Sequence, residues 1–255
     1  MKKLFQLIVI ITLSGFQLNS VAQVQFEEND TDESIKVSFG FENDFVTRYI
    51  WHGLNYNHGL IHQPTVWVTF NDFTFYSWGS FTQHEADNNI KNNEIDLAVQ
   101  YSKQIDLLNI ESSVTYIYAW LEGAPATTEA YLKVGYQVLE AELFSDLTAD
   151  VMEYTGSLSG SIGLSKSFYE DDNLSISGSL SFGWANKLFN ESYIGTSKNV
   201  KPFNYTSFSA EATYYFYENF YIKPHMEYCY LFSPVLKQTS GNSLENFGIG
   251  AGVEF

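Results

Sequence analysis

The run Glu94-Ile95-Asp96-Leu97-Ala98-Val99-Gln100-Tyr101 sorts its side chains by parity. Ile95, Leu97, Val99 and Tyr101 fall on one face, and Glu94, Asp96, Ala98 and Gln100 on the other. Successive side chains of a strand point to opposite faces, so the run reads as a strand with one apolar and one polar side. The following run repeats the pattern, with Ile110, Val114, Tyr116, Tyr118 and Trp120 opposing Asn109, Glu111, Ser113 and Thr115. Further on, Leu174, Ile176, Leu180, Phe182 and Trp184 oppose Ser175, Ser177, Ser179 and Ser181. Phe220, Ile222, Met226, Tyr228, Tyr230 and Phe232 oppose Lys223, His225 and Glu227. The apolar faces carry almost no charge. Lys166 is the exception, placed near a strand end where its stem can snorkel to the interface. A soluble sandwich or barrel would turn its apolar faces inward; here they suit contact with lipid.

Extended along the chain, the alternation predicts strands at 35–49, 62–71, 73–83, 93–103, 108–120, 128–138, 141–152, 157–168, 174–186, 204–217, 220–232 and 245–255. Segments of roughly ten alternating residues separated by turn residues are the signature of a membrane barrel. The predicted fold is therefore all-β: an antiparallel up-and-down transmembrane β-barrel of about twelve strands. No helical periodicity follows residue 22. Connections after the even strands are short, such as Asn71-Asp72, Leu139-Glu140 and Glu218-Asn219. Those after strands 1, 3, 5, 9 and 11 are longer, as in 187–203, while 153–156 after strand 7 is short. Short periplasmic turns and longer external loops are the expected asymmetry, with both chain ends in the periplasm.

Met1-Lys2-Lys3, the apolar run Leu4 to Phe16 and the small-residue site Ser20-Val21-Ala22 read as a cleavable secretory signal over 1–22. The acidic stretch 23–34 reads as a flexible periplasmic lead-in, and 35–255 as the barrel. The lone Cys229 provides neither a lipoprotein anchor at the cleavage site nor a disulfide framework. Mean hydropathy is −0.15, but aromatic residues make up 17% of the chain, with 18 Tyr and 21 Phe, which suits interfacial girdles. A net charge of −17 argues against nucleic acid as a partner, because phosphates require Lys and Arg. The last strand places Phe247, Ile249, Ala251, Val253 and the terminal Phe255 on its lipid face. The expected location is the outer membrane of a Gram-negative cell. The expected partners are outer-membrane lipid, small solutes and, through Phe255, the barrel-assembly machinery.

In a barrel the inner face is the functional one. Parity assigns it Glu42, Asp44, Glu94, Asp96, Glu111, Glu129, Glu142, Asp146, Asp150, Glu211 and Glu227, opposed by Lys36, Arg48, Lys133 and Lys223. A negative interior concentrates cations and repels anions, so the leading expectation is a narrow channel for small cationic or neutral solutes. The alternative is a non-conducting barrel, its interior filled by paired side chains and its loops binding a partner. Strands 8 and 9 carry Ser157, Ser159, Ser161, Gly163, Ser165 and Ser175 to Ser181 inward. Such small residues leave room for open lumen, an inserted loop, or the large inner Tyr131 and Phe144. A membrane-embedded hydrolase is a third reading, but no serine–histidine pattern supports it. His52, His58, His62 and His84 sit in or beside expected loops at no regular spacing, so no metal site and no cofactor is assigned.

Residues 44–81 hold Asp44-Phe45-Val46-Thr47-Arg48, Gly53, Gln63-Pro64 and Tyr76-Ser77-Trp78-Gly79-Ser80-Phe81. This stretch resembles the N-terminal signature of the TorF-type putative porins, with Asp44, Arg48, Gly53, Gln63, Trp78, Gly79 and Ser80 at the matching positions. It departs from the signature in the inserted Tyr49-Ile50-Trp51-His52. The resemblance implies an outer-membrane barrel of porin type with no assigned substrate. Physically, Asp44 and Arg48 are expected to form a rim ion pair, Gly53 a turn with positive φ, and Trp78 an anchor at the outer interface.

Overall fold

The computed structural model describes residues 10–13, 16–19, 35–82, 93–119, 125–195 and 203–255. Most of the segments read as signal and lead-in, 1–22 and 23–34, lies outside them. Within that region Ile10–Leu13 and Phe16–Asn19 pair as a small two-stranded sheet separate from the rest.

The remainder is a closed barrel of twelve strands, each paired antiparallel with its neighbours in sequence. They are β1 (Val37–Trp51), β2 (Leu54–Phe70), β3 (Phe73–Thr82), β4 (Glu94–Ile105), β5 (Leu108–Ala119) and β6 (Thr127–Val138). Then follow β7 (Ala141–Asp150), β8 (Leu158–Glu170), β9 (Leu174–Ala185), β10 (Phe203–Tyr215), β11 (Phe220–Leu231) and β12 (Ser243–Glu254). β12 closes on β1 from Gly248↔Val46 to Glu254↔Gly40. Beyond that register, Phe39 and Phe255 exchange two backbone hydrogen bonds of 2.9 Å, and their rings stack at 5.3 Å.

Alternation holds on the outside. Leu97, Tyr116, Leu180 and Tyr228 all point away from the interior, as do Phe39, Phe41, Phe45, Phe247 and Ile249. No described helix is long and apolar enough to cross a membrane. Hydrocarbon offers backbone groups no partners, and a closed sheet with an apolar exterior is one of the two ways to satisfy them all. Lys166 escapes the apolar band by reaching Glu140 in the β6–β7 turn, 2.7 Å away.

The ends of the barrel differ. At the end holding Phe255 the strands turn tightly, with Asn71, Asp106 and Leu139 in left-handed conformations at φ 51°, 56° and 57°. The opposite, loop end corrects two expectations. A long connection was expected after the first strand. Instead β1 and β2 continue into one long hairpin closed by His52-Gly53, at φ 49° and 77°. Two consecutive positive φ values are what a tight primed hairpin turn requires, and Gly53 meets that need without strain. The second correction is helical. The connections after β9 and β11 contain α1 (Lys187–Ile194) and α2 (Pro234–Ser240), where no helix was foreseen. Neither is long enough to show a period. Their signals are caps: Asn186 accepts from Phe189 N–H, while Ser233 accepts from Leu236 N–H ahead of Pro234 at the first turn.

Glycine inside the barrel makes space for rings. Gly183 of β9 lies under Tyr205 of β10, and a Cβ there would sit 2.1 Å from the ring. We expect Gly183→Ala to lower barrel stability by about 1–3 kcal/mol, the usual cost of overpacking. Urea unfolding followed by the gel shift between folded and unfolded barrel measures it.

Candidate functional site

The inward-facing side chains form two charged walls. The first spans β11, β12 and β1. Glycine alternates along the inner face of β12, and Gly248, Gly250 and Gly252 pair in register with His225, Lys223 and Tyr221 of β11. Without Cβ atoms between them, side chains of β11 and β1 meet across β12. Lys223 Nζ lies 2.6 Å from Glu42 Oε1, and Tyr221 OH donates to Glu42 Oε2 at 2.7 Å. His225 Nε2 and Asp44 Oδ2 are 2.8 Å apart. On β10, Ser207 OH donates to Glu227 at 2.6 Å.

The second wall runs over β4 to β8. Lys133 Nζ pairs with Glu142 at 3.1 Å and sits 4.9 Å over the Phe144 ring. Asn109 donates a short hydrogen bond to the same Glu142 carboxylate. Asp146 accepts from the backbone N–H of Ser161 at 2.9 Å and from its hydroxyl. Toward the loop end Glu94, Asp96, Glu129 and Asp150 gather without an ion pair to Lys or Arg among the described residues. Asp150 accepts from Thr127 OH at 2.6 Å and Tyr193 OH at 2.9 Å. Asp96 Oδ1, Glu111 Oε1, both amide atoms of Gln100 and Tyr131 OH are buried with no hydrogen-bond partner among the described residues. An unpaired buried polar group costs about 1–3 kcal/mol, so this wall is one that water or solute must solvate.

Between the walls lies a cavity of about 150 Å³. Its room comes from Ser161, Ser179, Ser181, Ser207 and Ser209 on β8 to β10, and its charge from Glu42, Asp44, Asp146, Glu211 and Glu227 set against Arg48, Lys223 and His225. Part of the space opened by small residues is filled by rings: a Cβ on Gly163 would meet Phe144 at 2.5 Å. The small-residue faces thus leave an opening and also hold large rings.

The loop end is packed with apolar side chains. Phe189 of α1 and Leu236 of α2 are buried with Ile50, Leu54, Tyr205, Leu231 and Leu244, flanked by Trp51, Tyr56 and Tyr193. A second cluster continues inward through Val46, Tyr49, Ile61, Trp67, Tyr76 and Trp78. Each Leu or Phe so buried contributes about 1.5–3 kcal/mol. Together they make an aromatic plug in the mouth. Tyr193 latches α1 to the acidic wall, and burial beside Glu129 holds its phenol well above the ordinary range, so it remains a donor.

Several expectations about single residues change. Trp78 is not an interfacial anchor. It faces inward at 2% exposure, edge-on to Tyr49 at 5.4 Å, because a wide barrel needs bulk inside as well as outside. Gln63 and Ser80 of the same motif meet inside at 3.3 Å, while Gly79 packs under Phe81. Asp44 and Arg48 do not form the rim ion pair. A bulge between Val46 and Arg48 shifts the parity, Asp44 takes His225, and Arg48 Nε donates to the Glu245 carbonyl at 3.2 Å. Tyr49 is buried on the inward side, and Arg48 borders the cavity beside it. Of the histidines, His58 is exposed and His62 lies outward against Phe45 and Phe81. His52 is buried at the hairpin tip, and His84 falls outside the described residues. No group that would hold a metal ion occurs among the described residues. The inward apolar residues had one visible trace: Ile61 and Trp67 share the parity of Gln63, Thr65 and Thr69.

No family model matches the chain, and no curated protein matches it. Among solved structures, the KdgM porin in complex with disordered oligogalacturonate superposes with a TM-score of 0.50 at 11% identity, covering 86% of this chain and 99% of that one. The NanC porin gives 0.47 at 11% identity over 85% and 98% of the two chains. An outer membrane channel from Pseudomonas putida F1 gives 0.47 at 9% identity over 92% and 100%. At these identities the likeness is one of fold.

The plug contains its own titratable group. His52, in the turn beyond the strands, is wedged between Trp51 at 4.4 Å and Phe189 at 5.6 Å, with Ser159 Oγ 3.4 Å from Nε2. Burial alone lowers its pKa from 6.5 to about 3. The neutral ring's contribution to the closed plug is complete above about pH 6.5 and declines as pH falls below it, by about 2 kcal/mol at pH 5. Tryptophan fluorescence should therefore report a looser plug between pH 6.5 and 4 than at pH 8. His52→Gln should remove most of that pH dependence.

Proposed function

We propose that the chain is an outer-membrane channel of porin type, passing small solutes passively and cations ahead of anions. The observation that carries the reading is a closed barrel whose inner walls hold more carboxylates than bases around a solvent-sized cavity. Inside a low-dielectric wall such a surplus raises cation concentration. The KdgM porin is seen with oligogalacturonate. A carboxylated sugar chain would meet repulsion from Asp96, Glu111, Asp146 and Glu211, so that ligand is not carried over. Residues 1–22 act as a cleaved export signal, 23–34 form the periplasmic lead-in, and Phe255 is the handle for the assembly machinery. The chain is kin to the TorF-type porins, with Asp44, Gln63, Trp78 and Ser80 as inward residues of the shared motif. It is not an enzyme: His52 touches Ser159, but both are shut beneath α1, and no carboxylate is bonded to His52 among the described residues.

A second reading, a non-conducting barrel whose loop end meets a partner, has one observation in its favour. The apolar plug of α1, α2 and the β1–β2 tip occupies the mouth.

Planar-bilayer recording separates the two. The channel reading expects discrete conductance with cation permeability several-fold above anion permeability. It expects that ratio to fall toward unity in an Asp96→Asn, Glu111→Gln, Asp146→Asn triple variant. Absence of conductance at every voltage from pH 4 to 8 would establish the second reading.

A further inference from the structure

The cavity between the walls is bounded by groups of unlike chemistry, with carboxylates in surplus over bases. Among the cations nearby, Lys223 is held by Glu42 at 2.6 Å, and Arg48 gives its Nε to the Glu245 carbonyl at 3.2 Å. Carboxylates outnumber these bases in the lining. Asp44 binds His225 through Oδ2, while its Oδ1 is buried with no partner among the described residues. Glu227 accepts from Ser207 through Oε1 alone among the described contacts. Both carboxylates line the cavity, together with Ser181, whose hydroxyl serves either as donor or acceptor. Apolar surface is present as well, from Trp78, Phe144 and Tyr205. A volume of about 150 Å³ accepts a molecule with about the bulk of a six-membered ring.

We infer that this cavity binds a small protonated amine, an alkylammonium of about six to eight heavy atoms. The ammonium group sits between Asp44 Oδ1 and Glu227. The carbon chain lies against the Trp78 and Tyr205 rings, and the serines of β9 and β10 accept or donate to whatever polar group the far end carries. An ammonium has donors only, and buried carboxylates with spare lone pairs are their complement. A neutral solute of the same size satisfies the serines but leaves Asp44 Oδ1 less well compensated, and an anion meets the acidic surplus. This deepens the channel reading by naming a solute class, and it rests on that reading only where it treats the cavity as a station on a route.

The test uses the full chain in detergent micelles, with calorimetric titration and Trp78-dependent fluorescence as the readouts. The probes are 1,4-diaminobutane, 1,4-butanediol of equal length without charge, and succinate. The diamine is expected to bind at least tenfold more tightly than the diol, with succinate silent. Asp44→Asn and Glu227→Gln should each weaken the diamine tenfold or more. Ser181→Leu, which leaves every charge in place and fills the cavity, should abolish binding. Folding of each variant is checked by its gel shift, and any one folded variant suffices. Equal binding of diol and diamine, preference for succinate, or diamine binding that survives Ser181→Leu would overturn the inference. Conductance without diamine binding sinks this inference and spares the channel. Diamine binding without conductance does the reverse.

Discussion

The structure depends on the closing of its seam. Between β12 and β1 every inward and outward assignment is fixed at once, because the register Gly250↔Asp44 and Gly252↔Glu42 decides which face of the first strand looks inward. An open seam would leave two strand edges in hydrocarbon, where each unpaired backbone group costs several kcal/mol. The same seam creates the charged wall. β12 contributes glycine to the inner face where its neighbours contribute long side chains, so Glu42 and Asp44 reach over it to Lys223 and His225. The buried ion pairs of this barrel thus follow from a glycine pattern on the strand between their partners.

The outward face was legible in the sequence to within a few residues per strand, because hydrocarbon admits few exceptions. Leu97, Tyr116, Leu180 and Tyr228 announce themselves by chemistry alone. The inward face is less strict. Water tolerates Asp96 there, and a neighbouring ring tolerates Trp67 or Trp78, so polarity did not identify which inner residues pack and which are solvated. The bulge before Arg48 has no signature in alternation until the partner strand is known, and it brings Tyr49 inside beside Arg48. Asn55, Asn57 and His58 look like loop residues, yet they pair in register with Ile50, Tyr49 and Arg48, because a hairpin rising beyond the membrane band no longer needs an apolar face. The helices were hidden by their brevity, since seven or eight residues give too little span for a period.

Width explains the interior's division. Barrels of about eight strands are filled by their own side chains, and much larger ones hold water. Twelve strands fall between, and this chain fills its loop end and its middle differently. Aromatic side chains and two short helices occupy the loop end, where Phe189 and Leu236 are fully buried. Carboxylates, serines and a cavity occupy the middle. In the channel proposed above, an apolar plug would exclude ions by refusing to solvate them, whatever their sign, whereas the carboxylates beneath would discriminate by sign. Resistance and selectivity would then reside in separate parts of the molecule.

That separation ties the plug to the charge beneath it through one contact. Tyr193 belongs to the helix that closes the mouth, and its hydroxyl donates to Asp150 at 2.9 Å, with Glu129 at 3.5 Å. In the proposed channel, lifting α1 would remove a donor from two carboxylates in a region that has no ion-paired base among the described residues, and would leave those groups to water or to an entering cation. The latch meets the energetic demand of the acidic wall in the closed form, and the solute would meet it in an open one. A cation that stabilises the bared carboxylates thereby stabilises the open mouth, because a ligand shifts an equilibrium toward the form it binds more tightly.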